Sequence, residues 1–147
     1  MISQLNTSAS NAVYLLRLQI VFVTKYRRKV FTGQMLRYAE KAFSAILRDW
    51  RCSLLEFGGE EDHVHLLADI HPALNISTLI NNLKSASSRR LRNKFAVRIR
   101  KFYGKPVFWH RAYYVGSVGD GTLATIKRYV EQQGTKEKPR KKLPLSS

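Results

Sequence analysis

The chain has 147 residues, the size of one domain with room for a real buried core. Its 26 Lys and Arg against 10 Asp and Glu give a formal net charge of +16. That balance disfavours cationic ligands and makes a polyanion the expected partner, nucleic acid first, because each neutralised phosphate releases counterions; basic ribosomal and membrane-surface proteins share this signature. The single cysteine, Cys52, excludes an internal disulfide and suits a reducing compartment. Apolar runs such as residues 20–23 are far too short to span a membrane, and the first residues are polar without the apolar core of a signal peptide. The expectation is a soluble cytoplasmic protein with no membrane contact.

Residues 14–23 alternate, with Tyr14, Leu16, Leu18, Ile20 and Phe22 on one face and Arg17 and Gln19 interrupting the other, which predicts a first strand with one covered face. Thr32 is placed as an N-cap or just before one, and Leu36, Ala39, Phe43, Ile46, Leu47 and Trp50 then fall at helical spacing over four to five turns. Residues 52–57 read as a short strand, residues 58–61 (Gly-Gly-Glu-Glu) as a turn, and residues 62–70 as the second arm of a hairpin that Pro72 stops. A second helix starts near Asn75 or Ser77 and carries Ile76, Ile80, Leu83, Leu91 and Phe95 as its apolar stripe, with Lys84, Ser88 and Arg92 on a polar flank. Residues 107–118 are aromatic and β-branched, a further strand. Gly116, Gly119 and Gly121 bend the chain into a third helix from about residue 122 to 133, which Gly134 ends.

Strand, helix, strand, strand, helix, strand and an added helix describe an α+β sandwich of the ferredoxin-like or RRM-like type. Its antiparallel sheet carries two helices on one face and an extra C-terminal helix. A single domain over residues 1–134 is expected, followed by a flexible basic tail at 135–147 broken by Pro139 and Pro144.

The chemistry concentrates in two places. In the second hairpin strand Val64, Leu66, Ala68 and Ile70 form an apolar face, so His63 and His65, two residues apart, both point to the opposite side as a pair of potential metal ligands. In the last helix Tyr129 and Gln133 are four residues apart and share a side. Taken alone, Tyr129 could simply extend the apolar stripe of Leu123, Ile126 and Val130. Combined with the histidines and the basic surface, two imidazoles and one amide oxygen make a three-ligand site with positions open for a phosphate, and the phenol becomes a nucleophile. A phosphotyrosine retains the energy of the broken phosphodiester, so rejoining needs no ATP; the absence of a phosphate-binding Gly-rich Lys-Ser/Thr loop agrees with a protein that uses no nucleotide cofactor.

The chain resembles the IS200/IS605 transposases, the single-tyrosine class of HUH endonucleases. The resemblance rests on residues 21–31 (VFVTKYRRKVF), 62–67 (DHVHLL), Lys84-Ser85 with Ser88-Arg89-Arg90, Phe108-Trp109 through Tyr113 to residues 116–119 (GSVG), and Tyr129 through Gln133. These stretches run in the family's order from about residue 13 to 133. The resemblance implies a transposase that cleaves and rejoins single-stranded DNA at insertion-sequence ends through a covalent 5′-phosphotyrosine, using Mg²⁺ or Mn²⁺. It matches His63, His65 and Gln133 to the metal ligands and Tyr129 to the nucleophile. It also implies a homodimer with composite active sites, the tyrosine helix of one subunit facing the histidine pair of the other, and recognition of imperfect DNA hairpins near the element ends. Gln132 stands where asparagine is often found, and helical spacing from Tyr129 selects Gln133 as the ligand.

Lys25, Arg27, Arg28, Lys84, Arg89, Arg90 and Arg92 are the candidate DNA contacts, by charge. Asp62 either orients His63 or shapes the hairpin, and His110 is read as structural. Two rival readings predict different behaviour. An RRM-like single-stranded nucleic-acid-binding module would need neither the histidines nor Tyr129, and a metallohydrolase with an attacking water would leave no protein–DNA adduct.

Overall fold

A computed structural model describes residues 16–117 and 122–133. The elements in chain order are β1 (Leu16–Thr24), α1 (Gly33–Asp49), β2 (Ser53–Glu60), β3 (His63–Ile70), α2 (Ile76–Lys94), α3 (Ala96–Arg100), β4 (Trp109–Ser117) and α4 (Thr122–Gln133), with a single 3-10 turn at Lys25–Arg27 after β1. The four strands form one sheet in the order β2-β3-β1-β4, with every neighbouring pair antiparallel. This is the expected α+β ferredoxin-like arrangement. The start of β1 at Tyr14, the bend at Gly119 and Gly121, Gly134 and the tail at 135–147 lie outside the described residues.

The helix starts obey local chemistry. The Thr32 side chain accepts a hydrogen bond from the Met35 N–H at 3.1 Å and the Asn75 side chain accepts from the Thr78 N–H at 3.0 Å, each satisfying a donor the first helical turn cannot pair internally. On one side of the sheet α1 and α2 bury Ile20, Phe22, Val64, Leu66, Ala68 and Ile70 with Phe43, Leu47, Leu79, Leu83 and Leu91. Phe22 is central: its ring lies 5.7 Å from Phe43, 5.4 Å from Trp109 and 6.2 Å from Tyr113, centroid to centroid. The Trp109 indole N–H, buried beneath this cluster, donates to Ser87 Oγ of α2 at 3.0 Å, so the polar tip of a core tryptophan is satisfied.

Four expectations need correction. β1 is covered on both faces, not one: Val21 and Val23 are 0% exposed because Ile126 and Val130 of α4 pack on them. Residues 58 and 59 continue β2 to Glu60 instead of turning, and the reversal is made by Glu61 and Asp62. The stripe of α2 includes Leu79, Ala86 and Ser87 and ends before Phe95, where the chain kinks into the short α3. The tyrosine helix is consequently the fourth helix, not the third.

Truncation of Phe22 to Ala should remove the centre of the aromatic cluster and cost about 3–5 kcal/mol. Chemical denaturation checks this, and a loss under 1 kcal/mol would show that the core does not depend on that ring.

Candidate metal and nucleophile site

The second face of the sheet carries the chemistry. In the ladder Gly58 pairs with His65, His65 with Val21, and Val21 with Tyr114, so one row of residues crosses all four strands. Opposed residues point to the same side, and neighbouring strands lie about 4.8 Å apart. α4 lies over the middle of this row, with Ile126 and Val130 on Val21 and Val23. At 100° per residue, Lys127 and Glu131 fall to one side of that apolar stripe and Tyr129 and Gln133 to the other, roughly 160° apart around the helix. The first pair therefore leans toward β3 and the histidines, and the second toward β4.

On the β3 side a cavity of about 450 Å³ is lined by Arg27, Gly59, Glu60, Asp62, His63, His65, Ile126, Lys127, Val130 and Glu131. The two imidazole centroids are 6.4 Å apart and the ring planes differ by 28°. His63 is nearly buried; its Nδ1–H donates to Asp62 Oδ1 at 2.9 Å, and Arg27 Nε–H donates to Asp62 Oδ2 at 3.0 Å. Burial alone would raise the Asp62 carboxyl, but the hydrogen bonds from His63 and Arg27 and their positive charge outweigh it and hold its pKa below the usual range. The His65 pKa is also lowered, by burial first and by the charge of His63 second, against the opposing pull of Glu56 and Glu60. A neutral imidazole is the form that binds a metal.

Gly58 is what lets His65 sit there. A Cβ at residue 58 would stand 2.5 Å from His65 Nε2, closer than side chains approach, so the imidazole lies over its cross-strand neighbour only because that neighbour has no side chain. Gly59 is constrained differently, since its Cβ would meet the His63 carbonyl oxygen at 2.6 Å.

On the β4 side Tyr129 packs against Tyr114, ring centroids 5.7 Å apart, and its hydroxyl is buried with no hydrogen-bond partner among the described residues. Burial pushes the phenol up to about 12. The Gln133 side-chain amide donates to the Tyr129 carbonyl at 3.2 Å.

The match to proteins of known kind is broad. Residues 12–133 fit the family model of IS200-like transposases. The chain belongs to this transposase family. It is 35% identical over 130 residues to the transposase for insertion sequence element IS200 of Salmonella typhimurium, covering 86% of this chain and 82% of that one. It is 29% identical over 125 residues to the ISDra2 transposase TnpA of Deinococcus radiodurans, covering 85% and 89%. Its fold superposes on the crystal structure of a candidate transposase from Deinococcus radiodurans R1 with a TM-score of 0.76, at 28% identity over 83% of this chain and 93% of that one.

Within one chain of this transposase, the expected site residues fall into two groups. His63 and His65 share the cavity; Tyr129 and Gln133 lie across α4 from it. Among the described residues no three His, Cys, Asp or Glu are arranged to hold a metal ion. The donor chemistry of the pair nevertheless fits a divalent cation. His63 has one ring nitrogen committed to Asp62 and the other left as a donor, with carboxylates of Asp62 and Glu60 around it.

The basic candidates also separate. Arg27 is the ion-pair partner of Asp62 on the cavity wall. Arg28 donates to the Phe102 carbonyl and stacks over Tyr26 and Tyr103, and the Lys25 ammonium lies 5.5 Å from the Tyr26 ring centroid. Lys84 Nζ donates to the Arg111 carbonyl at 2.6 Å, and Arg92 Nε to Ser88 Oγ at 3.1 Å. Lys84, Arg89, Arg90 and Arg92 all ride on α2, in the layer opposite the histidines. His110 Nδ1 accepts from the Ala112 N–H at 3.0 Å, a local structural bond. Sequence reasoning missed Gly58, which it read as a turn, and the pairing of Arg27 with Asp62.

Two outcomes follow. Gly58→Ala should leave the fold intact while displacing the His65 ring, seen as shifted imidazole resonances by NMR, whereas Gly59→Ala, which meets backbone, should lower Tm clearly. Tyr129 ionises near 10 in the unfolded chain and near 12 when folded. The unfolded state therefore releases its proton first, and the stability from burying the neutral phenol is fully present below pH 10 and lost as pH rises toward 12. Alkaline denaturation of Tyr129→Phe should be less steep than that of the wild type over this range.

Proposed function

We propose that this transposase cleaves and rejoins single-stranded DNA at the ends of an insertion sequence, with Tyr129 as nucleophile and His63, His65 and Gln133 as ligands of a Mg²⁺ or Mn²⁺ ion. The observation that carries the reading is the pair of imidazoles presented together into an accessible cavity, in a chain of the IS200-like transposase family. When bound, the cation would polarise the scissile phosphodiester and stabilise charge on its oxygens.

The chain's own residues do the rest. The Tyr129 oxygen attacks phosphorus, a P–O bond to Tyr129 forms, and the P–O3′ bond breaks, leaving a 5′-phosphotyrosine and a 3′ oxygen that takes up a proton. In the reverse sense a 3′-hydroxyl from another strand attacks the phosphotyrosine, so one bond is exchanged for another without loss of its energy. Lys127 and the wider positive charge draw the DNA backbone toward the cavity. A phenol with a pKa near 12 is a poor nucleophile where it lies. Its position beside Tyr114, across α4 from its own histidines, supports a composite site in which the tyrosine helix of one subunit serves the histidine pair of another in a homodimer.

The rival RRM-like module would bind single strands on an open sheet face. Here Ile126 and Val130 cover the centre of that face, which weighs against it.

The test is to incubate the protein with Mg²⁺ and labelled single-stranded DNA carrying hairpins from its element ends, then look for protein-linked strand on a denaturing gel. Tyr129→Phe should abolish the adduct and keep DNA binding, and His63→Ala should abolish it separately. Mixed together, the two inactive variants should regain adduct, because a heterodimer then holds one site with both an intact histidine pair and an intact tyrosine. Absence of recovery from mixed, dimeric variants would defeat the composite site; cleavage by Tyr129→Phe would defeat the nucleophile.

A further inference from the structure

β1 leaves the sheet through a turn whose backbone is held against its preference. Tyr26 and Arg27 have φ of 58° and 55°, the left-handed region that residues with a side chain seldom occupy, and here two occupy it in succession. Such a turn persists only when its surroundings impose it. They do so from several sides: the Thr24 N–H donates to the Asp62 carbonyl at 3.0 Å, the Lys25 N–H to the Phe108 carbonyl at 2.9 Å, and the Tyr103 hydroxyl to the Lys25 carbonyl at 2.6 Å. The Thr24 hydroxyl reaches the Arg28 carbonyl at 2.6 Å, and Arg28 ties back to the Phe102 carbonyl. What this strained, pinned turn delivers is the Arg27 side chain, brought across the end of the sheet to Asp62.

We infer that Arg27 and Asp62 are a positioning pair for His63: Arg27 holds the Asp62 carboxylate in one orientation, and Asp62 holds the proton of His63 on Nδ1, so that Nε2 is always the free donor facing the cavity. Each contact has one chemical sense. A guanidinium only donates and an ionised carboxylate only accepts, so the contact from His63 Nδ1 to Asp62 Oδ1 at 2.9 Å requires Nδ1 to carry the proton. The pair is shielded as such a device needs to be, with Asp62 8% and His63 8% exposed. Arg27 is thereby removed from the simple role of a DNA-backbone contact. It acts on His63 through Asp62 and touches no reacting atom. For its consequence, though not for its geometry, this inference rests on the proposed metal site.

The experiment uses the full chain at pH 8. Nitrogen-15 labelled histidine reports the tautomer of His63 in metal-free protein by NMR, and a Mn²⁺ titration followed by electron paramagnetic resonance reports metal affinity. In the wild type His63 should be wholly in the Nδ1–H form. Asp62→Ala should release it toward the Nε2–H form and weaken Mn²⁺ binding about 10–100-fold. Arg27→Met should act in the same direction, and Arg27→Lys should restore part of the effect. Asp62→Asn keeps an acceptor for Nδ1–H and should hold the tautomer better than Asp62→Ala, which a purely structural role would not produce. A folded Asp62→Ala with unchanged tautomer and unchanged Mn²⁺ affinity overturns the inference. Wild-type protein with the Nδ1–H form that binds no Mn²⁺ supports the pair's hold on the ring and overturns the metal reading of the histidines instead.

Discussion

The double burial of β1 is the constraint on which the rest of the molecule depends. Antiparallel sheets of this size commonly bury one face and leave the other wet, but here Ile20 and Phe22 go into the α1–α2 core while Val21 and Val23 go under α4. The two cores differ greatly in size. The first gathers aromatic and aliphatic side chains from seven elements and fixes the sheet; the second joins two residues of β1 to two of α4, with Tyr114 and Tyr129 at its edge. A rigid platform with a lightly attached helix is the result. The histidines belong to the platform, the tyrosine to the helix.

On the proposed function, that division assigns different physical demands to the two halves of the site. Metal ligands need fixed geometry, and the histidine half has it: a strand in the middle of the sheet, a glycine opposite to admit the ring of His65, and a carboxylate and guanidinium beyond His63. A nucleophile that forms and later surrenders a covalent bond to DNA has to be delivered and withdrawn. The tyrosine half is built accordingly, on a helix held by few contacts, with a hydroxyl that has no hydrogen-bond partner among the described residues. A buried hydroxyl left unpaired costs on the order of 1–3 kcal/mol.

The ferredoxin-like order and the orientation of the histidines were legible from the chain because both depend on short-range periodicity. Val64, Leu66, Ala68 and Ile70 at period two force His63 and His65 to the other side whatever the tertiary packing, and Thr32 and Asn75 announced their helices through local capping. What stayed hidden depends on partners distant in sequence. Gly58-Gly59 has the composition of a turn, and only its pairing with His65 and Val64 makes it a strand that must lack side chains. Arg27 looked like one charge in a basic run because nothing local marks Asp62, 35 residues on, as its partner. The covered second face of β1 was written in the unbroken apolar run Ile20 to Val23, but Arg17 and Gln19 on the same face gave the strand a half-polar look.

The helix spacing of Tyr129 and Gln133 shows where local reasoning succeeds and where it stops. It requires the two to share a side of α4, and they do, but the side they share faces Tyr114 and not the cavity. The face that does meet the histidines in the same chain carries Lys127 and Glu131, one cation and one anion, and no phenol. Because Ile126 and Val130 fix the rotation of α4 about its axis, turning it in place to bring Tyr129 to the cavity would expose both valines of β1 and the stripe that covers them. Under the proposed composite site, carrying the whole helix to a second subunit would let the same apolar stripe meet an equivalent strand there, so that what one sheet loses in buried surface the other would regain.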